Sequence, residues 1–143
     1  MPGILLSKDD YNHLKDLINT YESATKDSIT QSYISWLKGK LKKAKVVAVY
    51  DIHLIDVVTL NTSVRFKNLS TNEVKEYLIV HPRIECLSLG RLSVLSDLGV
   101  ALIGHKKGDL VNIRKVNGLN YKVQVLDIHP TSQEWIKRLE ERC

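Results

Sequence analysis

Asp56-Val57-Val58-Thr59-Leu60-Asn61-Thr62-Ser63-Val64-Arg65-Phe66-Lys67-Asn68-Leu69 is the stretch that decides how this chain is read. Between Ser63 and Lys67 the residues alternate, with Val64 and Phe66 on one side and the cations Arg65 and Lys67 on the other. A half-buried strand needs that period of two. Ser70-Thr71-Asn72 then reads as a turn, and Glu73 to His81 as a second strand that stops before Pro82, which has no N–H to give to a ladder. A loop through Arg83–Gly90 leads to a short strand, Arg91–Leu95. Ser96 is placed to cap a short helix over Asp97–Ile103, and Gly104 to end it. Leu110–Lys115 and Tyr121–Ile128 form a hairpin around Asn117-Gly118. The expectation is a five-strand antiparallel sheet carrying one short helix.

Upstream the period changes to that of a helix. Ser7 is a candidate N-cap, with Asp9 and Asp10 near the positive helix end. Leu14, Leu17, Ile18 and Tyr21 follow at three- and four-residue steps. The polar run from Ser23 to Ser28 breaks the stripe, and Ile29, Tyr33, Leu37, Leu41 and Ala44 restart it, with Trp36 alongside. Two striped helices joined by a short turn pair antiparallel. Residues 46–55 are too apolar for a free linker and are expected to lie against one half. At the other end, Thr131 and Glu134 form a possible capping box ahead of Trp135, Ile136 and Leu139. The expected organisation is a helical hairpin arm over 1–45, a connector over 46–55, an α+β domain over 56–130 and a C-terminal helix over 131–143.

Composition narrows the function classes. The chain is 43% hydrophobic and 26% charged, with net charge +5. That excess suits an acidic protein surface or weak attraction to phosphate and falls short of a dedicated nucleic-acid footprint. No apolar stretch approaches the ~20 residues of a bilayer span. The first residues lack the charged and apolar regions of a secretory signal, so a cytoplasmic protein without membrane contact is expected. Cys86 and Cys143 belong to no C-x-x-C, and reduced thiols are the expectation. The five histidines show no metal-ligand spacing, no nucleophile signature is present, and Gly104–Asp109 lacks the phosphate-loop pattern. No cofactor and no metal site are expected.

The segment Asp56–Leu69, together with Leu92-Ser93-Val94-Leu95-Ser96 and Gly99-Val100-Ala101-Leu102-Ile103-Gly104 through Gly108-Asp109, resembles the C-terminal domain of the Gre transcription elongation factors. Within that superfamily it is most similar to the Rnk (regulator of nucleoside diphosphate kinase) branch. The resemblance implies an FKBP-like fold for residues 56–128 and docking on the rim of the RNA polymerase secondary channel. It assigns the polymerase contact to Leu95, Ser96 and Asp97. Asp97 departs from the family pattern, which has proline after the small residue. Oligomeric state and direct nucleic-acid contact stay open.

Gre factors stimulate transcript cleavage with acidic residues at the tip of a long hairpin, where carboxylates help to hold a second magnesium ion. Here a helix from Ser7 to about Ala24 spans only ~27 Å, and the tip offers Glu22 and Asp27 with Lys26 between them. The expectation is therefore a polymerase-binding regulator that is not an enzyme and acts by competing with other channel-binding factors. Two alternatives stand beside it: a cleavage-stimulating factor using Glu22 and Asp27, and a prolyl isomerase, whose pocket would have only Phe66, Tyr77 and Tyr121 as aromatics. Lys38, Lys42 and Lys45, at helical spacing, form a possible basic contact face, with a solvated helix face as the plainer reading.

Overall fold

In the computed structural model, which describes residues 4–131, the chain enters as a short strand, β1 (Leu5–Ser7), and passes directly into helix α1 (Lys8–Ala24). Ser7 is the N-cap, its hydroxyl accepting the Asp10 N–H at 3.0 Å. Asp27 caps the second helix, α2 (Ser28–Lys43), through the N–H groups of Ile29 and Thr30. Leu14, Leu17 and Ile18 of α1 are buried, as are Ile34, Leu37 and Leu41 of α2.

The α2 stripe differs from expectation. Ile29 is exposed at the arm tip and Ile34 takes its place in the core, while Tyr33 and Trp36 are only half-buried. The helix has two partners: one face meets α1 and the adjacent face meets the sheet domain, so its apolar surface is broader than a single stripe.

Strand β2 (Lys45–Val47) leaves the arm and pairs parallel with β1, Leu6 opposite Val46. This pair stitches the entry and exit of the hairpin together. The Leu5 N–H donates to the Gly104 carbonyl at 3.1 Å, which fastens the arm to the domain. A three-residue strand carries too little pattern to be seen in the sequence, although Ile4, Leu5 and Leu6 are all buried. The connector is packed less than expected: after β2 it makes a 3-10 turn at Ile52–Leu54 and leaves Val49, Tyr50, Ile52 and Ile55 exposed.

The second half is a five-stranded sheet in the order β5-β4-β3-β7-β6, built from β3 (Thr62–Asn68), β4 (Val74–Val80), β5 (Arg91–Ser93), β6 (Leu110–Ile113) and β7 (Tyr121–Pro130). Val64 and Phe66 point into the core and Arg65 into solvent, as the alternation requires. The sheet is mixed where an antiparallel one was expected, because β5 runs parallel to β4. The chain makes that crossover through 3-10 turns at Pro82–Ile84 and Leu87–Leu89, closed by Gly90 at φ 76°. Helix α3 (Asp97–Leu102) packs over the sheet, and Gly104 at φ 84° ends the turn after it. The architecture is α+β: a helix pair, then a mixed sheet with one short helix.

Cys86 is disulfide-bonded, against the expectation of reduced thiols, a pairing that sequence spacing alone does not reveal. The expected C-terminal helix after Thr131 lies outside the described residues. Among the described residues, no helix is long and apolar enough to cross a membrane, and no three His, Cys, Asp or Glu side chains gather around a metal position.

Candidate functional site

The turn from β5 into α3 is fixed by a serine relay. Ser93 Oγ accepts the Leu95 N–H at 3.0 Å, Ser96 Oγ donates to the Ser93 carbonyl at 2.7 Å, and the same Ser96 oxygen accepts the Gly99 N–H at 3.0 Å. Gly99 is required here because a Cβ on it would lie 2.3 Å from the Ser93 carbonyl oxygen. Of the three expected contact residues, Leu95 is buried and the Ser96 hydroxyl is spent on capping. Asp97 accepts the Leu98 N–H at 2.7 Å and keeps part of its surface in solvent.

Asp97 stands at the edge of a small concavity of about 260 Å³ on the sheet, shared with Phe66, Tyr77, Lys115 and Tyr121. Burial, then the Asp97 charge, pushes the Tyr121 hydroxyl above its ordinary range; the same two causes act on Tyr33 of the arm. The carboxylate thus sits within electrostatic reach of both arm and sheet. All three candidate aromatics of an isomerase pocket do meet here. However, Phe66 is only 4% exposed and belongs to the core, and the cavity is smaller than the ~300 Å³ from which small-molecule sites usually begin.

At the arm tip, both candidate acids are already engaged. Asp27 Oδ2 accepts from the Thr30 hydroxyl at 2.7 Å and from its N–H at 3.2 Å, and these bonds, led by the hydroxyl, hold the carboxyl below its usual range. Glu22 forms an ion pair with Lys38 across the helix pair. Lys38, sixteen residues away in sequence, is its ion-pair partner. The basic face dissolves as well: α2 ends at Lys43, so Lys45 lies in β2, off the helical face that would have joined it to Lys38 and Lys42. Lys42 and Lys45 are exposed.

Lys40, outside the residues singled out from the sequence, has a structural role. Its ammonium donates to the Val100 carbonyl at 2.8 Å and to that of Ala101, capping the end of α3 where the helix dipole is negative. The available signal was position: Lys40 stands three residues after Leu37, on the side that meets the domain. Withdrawal from water pushes this ammonium down to about 7. Burial, then the Lys40 charge, also lowers nearby His105, while Asp109, at 3.2 Å, works in the opposite direction.

The unfolded chain holds the Lys40 proton up to its ordinary 10.5. The folded state is therefore penalised below pH 7 and recovers stability as pH rises from 7 towards 10.5. Unfolding free energy relative to a Lys40→Met variant is expected to rise across that window in urea titrations at the two ends. A pH-independent difference would contradict the burial of this group.

Residues 53–130, more than half of the chain, match the family "Transcription elongation factor, GreA/GreB, C-term". The chain belongs to the GreA/GreB family. Its match to the family covers the sheet, α3 and the Asp97 turn, and leaves the arm outside. This GreA/GreB-family chain is 37% identical over 73 residues to the regulator of nucleoside diphosphate kinase of Escherichia coli strain K12, a match covering 51% of the chain and 54% of that protein. It thus spans about half the length of that relative. It is 38% identical over 112 residues to transcription elongation factor GreA of Chlorobium limicola, covering 76% of the chain and 68% of that protein. A solved structure, the prokaryotic transcription elongation factor GreA/GreB from Nitrosomonas europaea, superposes with a TM-score of 0.67 at 28% identity, covering 90% of the chain and 99% of that structure.

Proposed function

We propose that this GreA/GreB-family chain docks on the rim of the RNA polymerase secondary channel through the surface around Asp97 and acts there by occupancy, without stimulating transcript cleavage. The observation that carries the non-catalytic half is the state of the two tip acids. A second magnesium ion needs closely placed oxygen ligands free to coordinate it. Asp27 is committed to the N-terminus of α2 and Glu22 to Lys38. Reach argues in the same direction, since the 17 residues of α1 extend only about 26 Å.

The docking half rests on family membership together with the exposed part of Asp97 beside Lys115 and Tyr121. Leu95 and Ser96 hold the turn in shape, which leaves Asp97 as the residue to meet a basic partner surface. A factor seated in this way excludes other channel-binding factors by competition, and no bond is broken.

The test is displacement of a labelled GreA from purified bacterial RNA polymerase. The wild-type chain is expected to displace it to completion, and Asp97→Lys to need about tenfold more protein, the equivalent of ~1.4 kcal/mol. Absence of displacement at any concentration would remove the docking reading, and an unchanged Asp97→Lys curve would remove Asp97 from the contact.

A further inference from the structure

Between α2, α3 and β6 lies a larger cleft, about 600 Å³, distinct from the concavity beside Tyr121. Its rim carries Lys43 from α2, Arg114 at the end of β6 and Lys122 from β7, and Asp97 is the single carboxylate among the residues that line it. Lys43 and Lys122 have no carboxylate within ion-pair distance among the described residues. The Arg114 guanidinium lies over the Trp36 ring, 4.9 Å from its centre. The Lys40 ammonium, also among the lining groups, ties α2 to the carbonyls of α3.

Gly39 adds an independent observation. It stands inside α2, exposed, and a Cβ built on it would meet nothing within 4 Å. Glycine is the weakest helix former after proline, and neither packing nor backbone conformation requires it here. Gly39 lines the cleft, so its effect is to keep that wall open where a large side chain would intrude.

We propose that this cleft binds a nucleotide carrying two or three phosphates. The chemistry matches part by part. Phosphate oxygens accept charge-assisted hydrogen bonds from Lys43 and Lys122, which line the same cleft. A planar base stacks on the Arg114 guanidinium, which is itself held over the Trp36 ring. The volume lies within the range of pockets for small ligands.

The experiment is isothermal titration of the full chain with ATP and with GTP, and separately with a uridylate decamer. Saturable one-to-one binding of at least one nucleotide is expected in the micromolar range. Lys43→Gln combined with Lys122→Gln is expected to weaken it by about tenfold or more. Gly39→Leu is expected to weaken binding by narrowing the cleft, whereas Gly39→Ala raises the melting temperature and leaves most of the affinity. Circular dichroism confirms that each variant is folded. No saturable binding of either nucleotide up to about 1 mM, undiminished binding by Gly39→Leu, or binding of the decamer alone would each overturn the proposal.

Discussion

Gly99→Val is expected to lower the unfolding free energy by about 3 kcal/mol, the upper part of the range for overpacking a filled site, and the melting temperature by on the order of 10 °C. The reason is contact with backbone. The new Cβ would sit 2.3 Å from the Ser93 carbonyl oxygen and 2.9 Å from both the Ser96 hydroxyl and the Val94 Cα. Two of these are backbone atoms, and the nearest is a backbone carbonyl, so α3 must lift from β5. The serine relay that caps α3 would break with it, because Ser96 bonds both the Ser93 carbonyl and the Gly99 N–H. Polymerase docking is expected to weaken in the same variant, since Asp97 rides on that turn. Urea denaturation reads the stability loss; a change under about 1 kcal/mol would mean that the turn relaxes more easily than the geometry allows.

Leu37→Ala is expected to cost about 2–5 kcal/mol, as for other fully buried leucines. Leu37 has no exposed surface and sits in the core cluster that contains Leu14, Leu17 and Ile18 of α1 as well as the sheet residues. Removing it leaves a cavity in the layer that joins arm and domain. Hydrogen exchange distinguishes local from global loss: protection is expected to fall first across α1 and α2, with β3 and β7, at the centre of the sheet, holding longer. Equal loss in all elements would show the arm and sheet unfolding as one unit.

The sheet was legible because its signals are local and redundant. Val64 and Phe66 alternate with Arg65 and Lys67, Asn72 takes the positive φ its turn needs, and Gly104 ends α3 in the left-handed region. The parallel pairing of β5 was not legible, since nothing in Arg91–Ser93 encodes direction and the crossover is made of 3-10 turns too short to show a period. Nor was the β1–β2 pair, three residues on each side, stabilised by contacts far apart in sequence.

For the candidate site the same division holds. Ser96 as a cap and Ser7 as a cap followed from residue type and position. The engagement of Glu22 by Lys38 and of Lys40 by the end of α3 depends on which side chains two helices bring together, with separations of 16 and 60 residues. Residue spacing along one helix put Lys38, Lys42 and Lys45 on a common face, but it could not show that the helix stops at Lys43.

The most direct test of the central claim is RNA cleavage in backtracked polymerase complexes, with this chain added alone and together with GreA. Alone, it is expected to shorten no transcript beyond the polymerase's own rate; added with GreA, it is expected to slow cleavage as its concentration rises. Transcript shortening by the chain alone that Asp27→Ala or Glu22→Ala abolishes would contradict the account, as would GreA activity that no amount of the chain reduces.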